Sequence, residues 1–279
     1  MKINIAKSSG FCFGVKRAIE ISEKISDKEE NVCVLGDIVH NSFVVNNLSK
    51  RGIKKISKIS PTKKKSTLII RAHGASKKTF EKAKKCGWKV VDATCPKVKD
   101  IYKIAKRLEA NNSIIIIGDS GHDEVKGIAG QLKKKPITIE SPQKIPIKKL
   151  STIKKAIVVT QSTQSIENIT KIMKKLLKII PNIKLYNTTC RTTVIKQEEI
   201  KNLPLQNDLI LIIGSKTSAN TKRLYEISKK LNKNTHWIES EKNINKKWFS
   251  KKIANVGIMA GASTPDYITR NVISRLKKL

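Results

Sequence analysis

Short runs of β-branched residues alternate with longer amphipathic stretches from end to end of the chain. Strands are predicted at 31–36 (NVCVLG), 66–72 (STLIIRA), 89–93 (KVVDA), 113–119 (SIIIIGD), 156–161 (AIVVTQ), 184–188 (KLYNT), 208–214 (DLILIIG) and 255–261 (NVGIMAG). Between them, apolar residues recur at three and four spacing over 15–25, 77–86, 98–110, 166–180 and 221–233, which predicts helices with one buried face. Regular succession of strand and helix is the pattern of βα units and parallel sheets, so the expected class is α/β. The segments KVVDATCPKV and KLYNTTCRTT nearly superpose. They divide the chain into three similar small units, expected at 1–96, 97–190 and 191–279.

Polar residues cluster where the predicted strands end. His40, His73, Cys95, His122 with Glu124, Thr160 with Ser162 and Thr163, Cys190, Ser218 with Asn220, and Ser263 all follow apolar runs closely. Ligand sites in parallel α/β sheets lie beyond the carboxyl ends of the strands, so these tips imply one shared site. Cys12 (GFCFGV), Cys95 (DATCPKV) and Cys190 (NTTCRTT) each occupy a turn flanked by Gly or Thr. Three such thiolates supply three of the four ligands of an iron-sulfur cube and leave one iron open. Cys33, inside an apolar strand, and Cys86, at the end of a Lys-rich helix, are expected to be packing residues.

Three of the four histidines, His40, His73 and His122, share the strand-end position, whereas His236 does not. A zinc hydrolase using Cys and His ligands is one alternative, but the close ligand pairs HxxxH and CxxC are absent. Donation to an anionic substrate suits these histidines better. A diphosphate needs several oriented N–H and O–H donors, and Ser218 and Asn220 add theirs where a helix begins in SKTSANTKRL; plain capping of that helix would use the same residues. Glu124, in GDSGHDEV, is the candidate acid, since a carboxyl beside a bound anion holds its proton to higher pH. Asp123 next to it points the other way. No GxGxxG with a ribose hook and no GxxxxGK[ST] occurs, so electrons must come from outside.

Charge then modifies the picture. The 58 basic residues against 22 acidic ones give a net charge of +36, which by itself suggests a basic nucleic-acid-binding protein. Only eight of the basic residues are arginine, the lysines are scattered, and aromatics make up 4%. Base and phosphate readers favour clustered Arg and interleaved aromatics, so no nucleic-acid partner is expected. An acidic protein partner is the better match for such a surface. The N-terminus MKINIAKSSG lacks an apolar signal segment, and the longest apolar runs are too short to span a bilayer. A cytoplasmic protein without membrane association is expected. Five cysteines without paired short spacings argue against a disulfide framework.

Taken in order, GFCFGVKRAI, GDIVHN, RAHG, DATCPKV, GHDEV, TQST, NTTC, GSKTSANTKRL and GASTPD resemble the 4-hydroxy-3-methylbut-2-enyl diphosphate reductases, which catalyse the last step of the methylerythritol phosphate route to isoprenoids. The resemblance spans essentially the whole chain. It implies three α/β units around a central [4Fe-4S] cluster held by Cys12, Cys95 and Cys190, with one iron open. It implies that His40, His73, His122, Ser218, Asn220 and Ser263 hold the substrate's diphosphate. Glu124 would deliver protons with Ser162 or Thr163, and an acidic ferredoxin or flavodoxin would deliver electrons. The reaction would be a two-electron reductive dehydroxylation giving isopentenyl and dimethylallyl diphosphate. Some positions depart from the family pattern. Ser162 replaces a threonine, Ala219 a serine, Asp123 a proline, and Lys196 stands where the family has arginine, in a stretch that also carries Thr192 and Thr193.

Overall fold

The computed structural model describes residues 1–62, 65–249 and 253–279. The chain begins with β1 (Lys2–Ile5) and α1 (Phe13–Ser26), followed by β2 (Val32–Leu35), α2 (Ser42–Lys50), β3 (Lys54–Ile56), β4 (Thr67–Ile70), α3 (Lys77–Lys85) and β5 (Lys89–Asp92). Next come α4 (Pro96–Leu108), β6 (Ser113–Ile117), α5 (Asp123–Ala129), β7 (Ile137–Ile139), α6 (Ile147–Leu150), β8 (Lys155–Thr160), α7 (Ile166–Leu176) and β9 (Asn182–Tyr186). The last stretch holds α8 (Arg191–Asn202), β10 (Leu209–Ile213), α9 (Ala219–Leu231), β11 (Thr235–Ile238), β12 (Asn255–Ala260) and α10 (Asp266–Leu276).

The strands form three four-stranded parallel sheets, ordered β3-β2-β4-β5, β7-β6-β8-β9 and β11-β10-β12-β1. The order is the same in all three: the first strand lies second, its successor takes one edge, and the third and fourth complete the other side. The last sheet obtains its fourth strand from the start of the chain. The expected unit 1–96 therefore does not keep its first strand, because Lys2–Ile5 pairs with Asn255–Ile258. By compactness the chain forms two units, Met1–Lys16 with Val39–Asn47 and Arg191–Leu279, and Arg17–Ile38 with Leu48–Cys190. The first holds the sheet closed by β1, and the second holds the other two.

Each sheet is buried on both faces, as parallel sheets require. In β6, Ile115 and Ile117 join Val158 and α7 residues Ile169, Ile172 and Leu176 on one face. Ile114 and Ile116 join Val159 and α4 residues Val98, Ile101 and Ala105 on the other. Period-two alternation in the strands thus meets period 3.6 in the helices. Helix starts are fixed by polar caps: the Ser76 hydroxyl accepts from Thr79 N at the head of α3, and that of Ser165 from Asn168 N at the head of α7. A glycine closes the first strand of every sheet, and Gly36, Gly118 and Gly214 each donate to the last residue of the edge strand, at 2.9, 3.0 and 2.9 Å. No helix among the described residues is long and apolar enough to cross a membrane.

Candidate active site

The repeated strand order places the three candidate cysteines at equivalent positions. Cys12 follows β1, Cys95 follows β5 and Cys190 follows β9, each after the fourth strand of its sheet and immediately before a helix. The amide of each donates to the second residue past the third strand: Cys12 to Ala262 O at 3.1 Å, Cys95 to Ala72 O at 3.0 Å, and Cys190 to Ser162 O at 2.9 Å. All three are half-buried cysteines outside any disulfide, at a helix N-terminus, the end of the dipole that favours negative charge. A set of soft donors in matching turns fits an iron-sulfur group. Cys33 and Cys86 instead pack against the core of Leu68, Ile70 and Ala83, and burial pushes the Cys33 thiol up.

The second compact unit brings together Glu124, Ser162, His122 and His73. Glu124 lies in the first turn of α5 and is only 2% exposed. Its Oε1 accepts from Ser162 N at 2.6 Å and its Oε2 from the Ser162 hydroxyl at 2.7 Å. Burial raises the pKa of this carboxyl above the ordinary range; the two bonds from Ser162 oppose the rise, and the charge of Asp119 adds to it. His122 caps α5 by accepting from Glu124 N at its Nδ1, at 3.1 Å. Acceptance at Nδ1 puts the neutral ring's proton on Nε2 and makes that atom a donor. The His73 and His122 rings meet edge to face at 5.3 Å. Asp123 points away from Ser162 to an ion pair with Arg71 at 2.7 Å.

Thr163 makes a different contact. Its hydroxyl accepts from Gln161 Nε2 at 3.0 Å, while Gln161 Oε1 accepts from Asp119 N at 2.9 Å. This fully buried glutamine links the loop before Glu124 to the end of β8. Its place in TQST, between two strand-end hydroxyls, was the available sequence signal. Thr160 is buried too and serves structure, since its carbonyl accepts from the Thr188 hydroxyl at 2.6 Å just ahead of Cys190.

The other compact unit carries His40, Ser218, Asn220 and Ser263. The Ser263 hydroxyl donates to the His40 carbonyl at 3.1 Å. Ser218 caps α9, its oxygen accepting from Thr221 N at 3.3 Å, which leaves its own proton to donate. Ala219 is the first residue of that helix, where the amides have no carbonyl one turn back. Asn220 is buried, and its Nδ2 has no hydrogen-bond partner among the described residues. An unsatisfied buried amide is rare and costly, and an anionic acceptor would satisfy it. His236 lies in β11, stacked on Trp248 at 3.8 Å and bonded to Asn234 at 2.9 Å.

The sequence of residues 3–277 matches the model of the LytB protein family. The 4-hydroxy-3-methylbut-2-enyl diphosphate reductase of Campylobacter fetus subsp. fetus is 39% identical, with 100% of this chain and 98% of the relative covered. That of Geobacter metallireducens is 37% identical at 100% and 98% coverage. Among solved structures, that of (E)-4-hydroxy-3-methyl-but-2-enyl diphosphate reductase, the terminal enzyme of the non-mevalonate pathway, gives a TM-score of 0.72 at 37% identity, covering 100% of both chains. The E-1-hydroxy-2-methyl-but-2-enyl-4-diphosphate reductase from Plasmodium falciparum gives 0.90 at 28% identity, covering 99% of this chain and 88% of its own. The family model and the relatives cover essentially the whole chain, and the chain belongs to the LytB family.

Proposed function

We propose that this chain reduces 4-hydroxy-3-methylbut-2-enyl diphosphate to isopentenyl and dimethylallyl diphosphate, taking up two electrons and two protons and releasing the allylic hydroxyl as water. The observation that carries the proposal is the buried Glu124–Ser162 pair, two bonds at 2.6 and 2.7 Å around a carboxyl whose proton is held to higher pH. Such a carboxyl holds its proton to higher pH than an exposed one and can release it through the serine hydroxyl.

Cys12, Cys95 and Cys190 would hold the [4Fe-4S] cluster, the soft donor set and equivalent turns supporting that assignment. When bound, the cluster supplies the electrons one at a time and a Lewis-acidic iron without a cysteine ligand. The remaining work falls to the chain. His122 offers its Nε2 proton, Ser218 its hydroxyl and α9 its first amides to the diphosphate, and the orphan Asn220 amide gains an acceptor there. His40 and His73 complete the donor set, and Ser263 turns its hydroxyl from the His40 carbonyl toward a phosphate oxygen. Ser162 relays the proton of Glu124 to the departing hydroxyl, with Thr163 fixed beside it by Gln161. Electrons arrive from an acidic ferredoxin or flavodoxin.

Anaerobic purification with metal analysis tests the assignment. About four iron and four sulfide per chain are expected. C12S, C95S and C190S should each lose iron, while C33S and C86S keep it. Wild-type protein without iron would sink the proposal.

A further inference from the structure

Helix α8 begins immediately after Cys190, and two of its side chains grip the turn that leads to Cys12. Glu199 accepts from the amides of Lys7 and Ser8, the latter at 2.9 Å, and from the Ser8 hydroxyl at 2.5 Å. One turn earlier, the fully buried Lys196 donates from Nζ to the carbonyls of Ser8, Gly10 at 3.1 Å and Ala260 at 3.3 Å. Those three carbonyls match the three protons of an ammonium. Among the described residues Lys196 makes no ion pair; Glu199 is committed to the N–H side of the same turn. Gly10 itself is at φ +87°, and a Cβ there would meet Asp266 Oδ1 at 2.9 Å, so the turn has little room to rearrange.

Removing an ammonium from water without a carboxylate partner opposes folding. Three neutral carbonyls satisfy its protons without a direct ion pair. Burial pulls the pKa of Lys196 down to about 8, while the charges of Cys12 and Glu199 act the other way, so the amine and the thiol lie within electrostatic reach.

We propose that Lys196 is a positioning residue for the Cys12 ligand: it fixes the Ser8–Gly10 turn and sets a buried positive charge beside it that stabilises a reduced, more negative cluster. The second part rests on the cluster assignment made above; the first does not. Net charge and hydrogen bonding around the ligands are main determinants of iron-sulfur potentials, so removing this cation should make reduction harder.

Two measurements separate these parts. In apo protein, amide deuterium exchange of the peptide covering residues 7–14 should be at least tenfold faster in K196M than in wild type, with K196R restoring protection. Equal exchange in K196M and wild type overturns the positioning role whether or not iron binds. Should K196M fail to fold, the comparison is made on K196Q, whose amide can still donate to two of the three carbonyls: faster exchange than wild type supports the positioning role, and equal exchange overturns it. In reconstituted protein, K196Q should lower the reduced-to-oxidised ratio about tenfold at fixed potential, a shift of about 59 mV negative for a one-electron couple, with K196R near wild type. An unchanged potential in K196Q overturns the charge role. Iron-free wild-type protein overturns the cluster assignment and the charge role together, and the exchange result still decides the positioning role.

Discussion

Glu124 has both carboxylate oxygens engaged by one residue, the amide and hydroxyl of Ser162. In the proposed reaction the two side chains act as a single proton-handling unit. E124Q keeps size and burial and removes the titrating group; turnover should fall about 10²–10⁴-fold, the range of general acid catalysis, with iron content unchanged. S162A should fall by a comparable factor because the relay hydroxyl is gone, and S162T, which restores the family's residue, should recover most of it. The raised pKa of Glu124 also has a signed effect on stability. The native state holds this proton more tightly than the unfolded chain, so the stabilisation is complete below the unfolded value of about 4.3 and is lost as pH rises through the native value. Urea unfolding across pH should therefore show wild type gaining on E124Q toward acid pH, with a constant difference above the native pKa. A pH-independent difference would contradict a raised pKa.

At the level of elements, all six central strands were legible, together with the edge strands β5 and β9. β2, β4, β6, β8, β10 and β12 are buried on both faces and read as continuous β-branched runs. The four that escaped, β1, β3, β7 and β11, are all edge strands of three or four residues, and Lys54 and Lys55 make up most of β3. An edge strand is held by backbone pairing on one side only and needs little apolar sequence. Helix α8 escaped for another reason. Its buried face is Thr193, Lys196, Gln197 and Ile200, at helical spacing but mostly polar, so hydrophobic periodicity could not register it. The loops between elements carry constraints a pattern search does not weigh. Gly74, beside His73, sits at φ +77°, and a Cβ there would overlap the Tyr102 hydroxyl and touch Thr94. G74A combines about 1–2 kcal/mol of left-handed strain with overpacking of about 1–3 kcal/mol. The melting temperature should drop by roughly 5–10 °C. An unchanged melting curve would mean that the turn relaxes without strain.

Over the whole chain, one strand order used three times explains both what the sequence disclosed and what it hid. The turns of Cys95 and Cys190 look alike because both follow the fourth strand of a sheet assembled from consecutive segments. The turn of Cys12 occupies the same topological place, but its sheet is completed by residues more than 200 positions away, so no local similarity marks it. The charge is a property of the whole surface, not of any element. Among the described residues most acidic side chains that pair do so with exposed lysines, as in Lys144–Glu140 and Lys171–Glu167, and 58 basic against 22 acidic residues leave a large unbalanced excess. Exposed pairs of this kind add little stability. A field of that size would instead draw in the proposed acidic electron carrier, and it is screened within about 10 Å at 0.1 M salt. Reduction by an acidic ferredoxin or flavodoxin should slow at least tenfold between about 0.05 and 0.5 M salt. Reduction by the methyl viologen radical cation, which the same field repels, should not slow over that range. Parallel salt curves for the two reductants would show that the excess charge has no part in choosing the partner.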